Sequence, residues 1–316
     1  MVDKVTIGIL CYNAAAMIGR AIFSAKAQNW DNLEILIVDD CSSDTSVEVI
    51  KKFAEGDKRI KLIQHNENKG AAAARNTVIE NATGSFICFF DDDDESLPER
   101  VATQHARIAS YESKTGAQYV LCYASGTRVY PSGYKKDLIA IGAHDPVPVG
   151  EDVAARQLYY GGNKDAFYGF GTPTCALMAR TETFKHVHGF NEGLKRAEDI
   201  DLAIRLALQG AHFIGCHEKL FIQYATESAD KSYDRNLEAE IKLAQLHKDY
   251  LRSVGLYSYA LNWPKLRYAH FTKQYGLFLF TLLKLVLRHP VKTLSHLFAT
   301  GPQRLKHETA MRGGRA

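Results

Sequence analysis

The chain has 316 residues, enough for one large α/β domain with an appendage or for two modest domains, because single cores stop growing near ~250 to 300 residues. Apolar residues make up 46% and charged residues 24%, which excludes wholesale disorder and a polytopic membrane protein. The formal net charge of +3 is unevenly spread: Gly255 to Ala316 holds ten Lys and Arg against one acid, Glu308, leaving 29 basic and 35 acidic residues upstream. An acidic body thus precedes a basic tail.

The opening MVDKVTIGIL has no apolar run long enough for a signal peptide, so a cytoplasmic protein is expected. Short apolar runs then alternate with amphipathic stretches, the rhythm of strands joined by crossover helices. Strands are predicted at Val5 to Leu10, Leu33 to Val38, Ile60 to Ile63 and Ser85 to Phe90, and helices at Ala14 to Gln28, Thr45 to Glu55 and Ala71 to Glu80. This describes a Rossmann-like, mostly parallel α/β sheet flanked by helices. In such a sheet ligands bind at the carboxyl ends of the strands. Those ends read Cys11-Tyr12-Asn13, Asp39-Asp40 and Asp91 to Asp94.

Beyond Pro98 a helix is predicted from Glu99 to Tyr111 and a strand from Ala117 to Ala124, and Tyr130 to Asp165, rich in Gly, Pro and Tyr, reads as irregular surface. Order returns at Thr174 to Ala179, a helix from about Glu198 to Leu208, strands near Phe213 and Leu220 to Tyr224, and an amphipathic helix from Leu237 to Val254. The division expected is a body over 1–232, in two parts (1–98 and 99–232), followed by a helical, basic region over 233–316. The cysteines at 11, 41, 88, 122, 175 and 216 form no C-x-x-C pair, which argues against a zinc site and a disulfide scaffold.

A strand that delivers several carboxylates suits a hard divalent cation, Mn²⁺ or Mg²⁺, shared with substrate phosphates. Asp91 and Asp93, taken as one side of an extended segment, are the metal candidates. Asp92 either helps bind a nucleotide or turns away, and Asp94 could cap the helix near Pro98. A carboxylate at Asp39 or Asp40 could accept a base N–H, while Asp44 or Ser43 caps the helix that follows. Glu198 and Asp199 either complement a helix dipole or do chemistry. Thr172, in Gly171-Thr172-Pro173-Thr174, is an acceptor-contact candidate or simply part of a turn into a core strand. Tyr159, Tyr160 and Tyr168 could stack on sugars or pack a loop.

Six segments in order, ILCYN, AQNW-x-N-x-EILIVDDCSSD, NKGAAAARN, TGSFICFFDDDDE-x-x-P, GFNE and AEDIDLAIRLALQG, resemble family 2 glycosyltransferases from about Val5 to Ser232. The resemblance implies a GT-A fold and inverting, metal-dependent transfer from a nucleotide-sugar, UDP-linked by preference, to a saccharide or lipid-linked glycan in cell-surface polysaccharide synthesis. It implies a nucleotide-binding half over 1–98 and an acceptor half over 99–232. It also implies that Tyr12, Asp40, Asp39 and Arg75 contact the nucleotide, that Asp91 and Asp93 form the D-x-D metal motif, and that Asp199 is the catalytic base; Glu198 beside it is, like Thr172, a candidate for acceptor contact. A silent nucleotide-sugar-binding scaffold is the alternative. Two departures stand out: strand one lacks the proline common before the Tyr-Asn pair, and no histidine follows the last core strand, where Glu227 could substitute.

In the tail, Tyr275 to Leu287 (YGLFLFTLLKLVL) is nearly all apolar but only 13 residues long and carries Lys284, too short for a spanning helix of about 20 residues. With Lys273, Arg288, Lys292, Arg304 and Lys306 around it and Trp263 upstream, 257–306 suits a peripheral helix on an anionic membrane such as the inner face of the cell membrane. Packing on the body or a subunit interface is the competing reading. Nucleic acid is not expected, since the acidic half offers no basic groove.

Overall fold

A computed structural model of the chain describes residues 2–225 and 232–313, with side chains as far as residue 301. Glu227 lies outside the described residues. The chain divides into two compact units, one of Met1–Tyr130, Lys135–Ala154 and Gly162–Ala225, the other of Pro131–Tyr134, Ala155–Gly161 and Thr226–Ala316.

In the first unit β1 (Val5–Cys11), α1 (Ile18–Lys26), β2 (Leu33–Asp39), α2 (Ser46–Ala54), β3 (Ile60–Gln64), α3 (Ala71–Asn81) and β4 (Phe86–Phe90) alternate as the sequence predicts. Both β2 and β4 are buried at every position, as strands of a parallel sheet covered on both faces must be. β3, β2, β1 and β4 pair in parallel, with Cys11 opposite Asp39 and Ile9 opposite Phe90. That register brings Tyr12, Asp39-Asp40 and the aspartate run to one edge.

The remaining elements are β5 (Glu95–Ser96), α4 (Arg100–Thr115), β6 (Val120–Val129), β7 (Lys135–Leu138), α5 (Glu151–Tyr159), β8 (Leu177–Arg180), α6 (Thr181–His186), α7 (Glu198–Leu208) and β9 (His212–Tyr224). The sheet runs β3-β2-β1-β4-β8-β6-β9-β5, with β7 on β6. Pairing turns antiparallel at β4–β8 and β8–β6, then parallel at β6–β9.

Several local expectations are corrected. The first helix starts at Ile18, not Ala14, because the Ala14 and Ala15 amides are held by Ser46 Oγ and Asp44 Oδ2 at 2.9 and 3.0 Å. The stretch 130–165, read as irregular, contains β7 and α5; Ser125 Oγ accepts the Ala140 amide at 2.9 Å and anchors the chain just beyond β7. The two strands expected near Phe213 and Leu220 are the single β9, which absorbs a register irregularity against β6 around Ser125.

The second unit contains α8 (Tyr233–Leu246), α9 (Lys248–Ser253), α10 (Tyr257–Phe271), α11 (Tyr275–Arg288) and α12 (Pro290–Gly313). The helix expected over Leu237 to Val254 is interrupted at His247. Tyr259, Trp263, Leu266 and Leu285 form its core. Trp263, counted in the sequence among the residues suited to a peripheral helix, is buried there, with its ring centroid 3.7 Å from that of His296. Lys292 likewise turns inward, donating to Tyr160 O at 3.1 Å and lying 5.1 Å from the Tyr159 ring. Tyr159 and Tyr160 therefore pack helices. Among the described residues no helix is long and apolar enough to cross a membrane.

Candidate active site

The ends of β1 and β2 are tied to each other by side chains typical of turns. Ser42 Oγ accepts the Asn13 amide at 2.9 Å, Asn13 Oδ1 accepts the Ser43 amide at 2.8 Å, and Asp40 donates its amide to Cys11 O at 2.9 Å. The N-cap of α2 is Thr45, without a side-chain cap bond; Asp44, expected to cap this helix, lies one residue earlier and its Oδ1 accepts the Ser46 amide at 3.0 Å. Tyr12 is left 51% exposed at the rim, a free aromatic face beside two carboxylates.

Those two carboxylates differ. Asp40 Oδ1 accepts from the Lys69 amide at 2.9 Å and lies 2.7 Å from His65 Nδ1, while Oδ2 accepts the Gly70 amide at 2.8 Å. Asp40 thus holds the turn into α3, where Gly70 has φ +90°, a conformation that favours glycine. Asp39 Oδ2 accepts the Ser42 amide at 3.2 Å, whereas Oδ1 is buried with no hydrogen-bond partner among the described residues.

The aspartate run is a turn, not an extended segment, which regroups its side chains. Oxygens of Asp91 and Asp94 and the sulfur of Cys175 lie within 4.8 Å of one another. Asp94, expected to cap the following helix, is buried and accepts the Tyr224 amide of β9 at 3.1 Å through Oδ1, while Oδ2 has no partner among the described residues. Asp92 Oδ2 accepts the Tyr12 amide at 3.3 Å and so joins the β1 end. Asp93 is half-buried, and its carbonyl accepts from Arg20 Nη2.

Concentrated negative charge shows in their titration. Burial first, then Asp91 and Asp93, push Asp92 to about 7 and Asp94 to about 8. Burial also raises Asp91, opposed by Arg75. The Cys175 thiol is held protonated by burial and by Asp91 and Asp94, so it is no ligand for a hard cation. Carboxylate oxygens with one buried acceptor open do fit such an ion.

Across from this turn, Arg75 on α3 is buried and its Nη1 meets Glu198 Oε1 at 2.5 Å. The two residues expected on donor and acceptor sides are an ion pair. Burial works against the Arg75 charge, but Glu198 and Asp91 outweigh it and the net shift is upward. Asp199 follows at the start of α7, after Ala197 in the left-handed region at φ +62°. Burial and the neighbouring Glu198 raise Asp199 to about 6, against Arg75 and the Ile200 amide.

The turn at 187–190, ahead of α7, is held from two sides. Asn76 donates to Phe190 O at 2.9 Å and accepts the Phe190 amide at 2.7 Å; a Cβ on Gly189 would meet Asn76 Oδ1 at 2.3 Å. Arg205 bonds Asp201 Oδ2, Val187 O and Gly189 O at 2.7, 2.5 and 2.7 Å. The GFNE turn is thereby locked between α3 and α7. Thr172, the acceptor candidate, is buried.

Two arginines escaped the sequence reading. Arg100 is fully buried and donates to Phe89 O, Cys175 O, Ser96 Oγ and Gln104 Oε1 at 2.9, 2.7, 2.9 and 3.1 Å. It bolts β4 to the short turn Thr174–Ala176 that leads into β8, and it lowers Asp91 and Asp94 against burial. Arg20 stacks 3.9 Å over the Tyr224 ring while holding Asp93. The available signal was a charged residue within an apolar helical face: Arg20 between Ile18 and Ile22, Arg100 beside Val101 and four residues before Gln104.

Residues 6–137 match the model of the family described as glycosyl transferase family 2. A putative glycosyltransferase of Bacillus subtilis, EpsE, is 29% identical over 224 residues, 69% of this chain and 72% of that protein. The UDP-Glc:alpha-D-GlcNAc-diphosphoundecaprenol beta-1,3-glucosyltransferase WfaP of Escherichia coli is 38% identical over 32% of this chain and 40% of its own length. Matches to three other curated glycosyltransferases span 48%, 16% and 29% of those proteins' lengths. Among solved structures, Staphylococcus aureus TarS residues 1–349 with UDP-GlcNAc superposes with a TM-score of 0.59 at 18% identity, covering 92% of this chain and 82% of that one. At that identity the likeness is one of fold, the GT-A arrangement of a curled sheet between helices.

Proposed function

We propose that this chain, whose residues 6–137 match the model of glycosyl transferase family 2, is a member of that family and moves a sugar with inversion from a nucleoside diphosphate to a hydroxyl of a saccharide or lipid-linked glycan. The observation that carries the reading is one buried arginine, Arg75, set among Asp91, Glu198 and Asp199, which links the acidic turn to the start of α7. A UDP-sugar is the donor we assign, in keeping with the names of WfaP and of the TarS complex.

In this reading the base stacks on the exposed Tyr12 ring beside Asp39, whose Oδ1 is the acceptor left for a base N–H, while Asp40 shapes the turn beneath. Asp91 and Asp93, with Asp94 Oδ2, would hold a divalent cation, Mn²⁺ or Mg²⁺, and Asp92 would brace the Tyr12 loop. Held there, the ion would supply positive charge that stabilises the leaving diphosphate. Arg75 adds fixed charge and, through Glu198, orients α7. Asp199 removes the acceptor proton as the hydroxyl oxygen bonds the anomeric carbon, and the bond pair to the old oxygen leaves with the diphosphate. A carboxyl titrating near 6 is ionised at neutral pH yet basic enough for this task.

The test is incubation with UDP- and GDP-sugars, Mn²⁺ and candidate acceptors, with a chelator control. Sugar transfer that depends on one nucleotide and is abolished by chelation is expected. Donor binding without any transfer or donor breakdown, for every sugar and acceptor tried, sinks the enzymatic reading in favour of a binding scaffold.

A further inference from the structure

The helices α11 and α12 carry more apolar surface than the core of the second unit uses. Phe278, Leu282 and Leu285 join Tyr259, Trp263 and Leu266 on one side of α11. On its other side Leu279, Phe280, Leu283 and Leu287 are 64%, 69%, 59% and 76% exposed. At 3.6 residues per turn these four share an arc of roughly 100°. Val291, Leu294 and Phe298 repeat the pattern at i, i+3, i+7 along α12, all exposed. A helix at a water-facing surface presents polar residues outward; α11 is apolar on both sides.

Charge identifies the occupant. Lys284 and Arg288 are exposed and follow Phe280 around the helix by roughly 40° and 80°, at the border of the apolar arc. Lys273 is exposed just ahead of α11, and no Asp or Glu occurs between Gly255 and Gly301. With 14 residues α11 is too short to span a bilayer of about 20 helical residues, but not to lie along one. A second copy of the chain, paired through the same face, would bring two cationic rims together without an acid to meet them.

We propose that Leu279, Phe280, Leu283 and Leu287, continued by Val291 and Phe298, embed in the headgroup region of an anionic lipid bilayer, with Lys273, Lys284 and Arg288 on lipid phosphates. The surface involves residues 273–298 only and is independent of the transfer reaction. Lys292 and Trp263 take no part, since both are engaged inside the second unit.

The experiment is sedimentation of the full chain with vesicles of phosphatidylglycerol and phosphatidylcholine, and with phosphatidylcholine alone. Wild type should bind the anionic vesicles preferentially and release in high salt. Lys284→Gln with Arg288→Gln should weaken anionic binding by roughly fivefold per charge, and Phe280→Ser with Leu283→Ser by about tenfold or more. Circular dichroism melts matching wild type establish that these surface variants fold. Equal sedimentation of wild type and folded variants overturns the proposal. So does a wild-type dimer that the Phe280→Ser, Leu283→Ser variant converts to monomer while no form binds vesicles, an outcome that assigns the face to a second copy.

Discussion

Replacing Asp199 by Asn should remove transfer and yet stabilise the protein at neutral pH. In the unfolded chain this carboxyl titrates near its ordinary 3.8; in the fold, burial and Glu198 raise it to about 6. At 1.36 kcal/mol per pKa unit, folding with the group ionised costs up to about 3 kcal/mol, and partial water contact trims this to about 2 kcal/mol. Between the two pKa values the native state binds more protons than the unfolded state. The contribution of this group is therefore fully present below about pH 4 and lost as pH rises through about 6. Asn resembles the neutral acid, so the variant should gain about 2 kcal/mol at pH 7.5 and less than about 1 kcal/mol near pH 4. Urea unfolding of both proteins at the two pH values, in chelator, followed by circular dichroism, reads the difference. Equal stability at pH 7.5, or a gain undiminished near pH 4, refutes the reasoning.

The same carboxyl should shape activity. For the wild type, kcat/KM should fall about tenfold per pH unit below about 6, as the base becomes protonated. In Glu198→Gln, which removes the adjacent like charge and frees Arg75, the limb should move to lower pH by about one unit; an unmoved limb would show that another group governs it. Arg100→Met should cost at least about 3 kcal/mol in urea unfolding, because Phe89 O, Cys175 O and Ser96 Oγ lose their buried donor. A loss below about 1 kcal/mol would mean that water replaces the guanidinium there.

The first four strands and the helices between them were legible because burial on two faces demands unbroken apolar runs, and because Gly and polar turn residues punctuate them. Tyr12, the two acidic strand ends and Asp199 were legible as strand-end and helix-start residues that a parallel sheet gathers at one edge. What misled was local pattern read without neighbours. The Gly-rich stretch 130–165 becomes β7 and α5 because β6 supplies a partner edge, and Trp263 and Lys292 turn inward because α10, α11 and α12 close around them. The apolar run at 275–287 announced a surface, but not that one side of it would be taken by the core.

By itself the sequence determined the order of elements and the carboxylates that each strand end delivers, since both follow from hydrophobic period and from residue types with few other uses. Only the tertiary structure decided which carboxylates act together. Asp91 meets Asp94 through a turn, Asp40 is spent on the Lys69-Gly70 amides while Asp39 keeps an open oxygen, and Arg75 finds Glu198 from 123 residues away. Such pairings depend on side-chain direction and on burial, which raises the energy of every unpaired charge and so selects partners that no local spacing encodes.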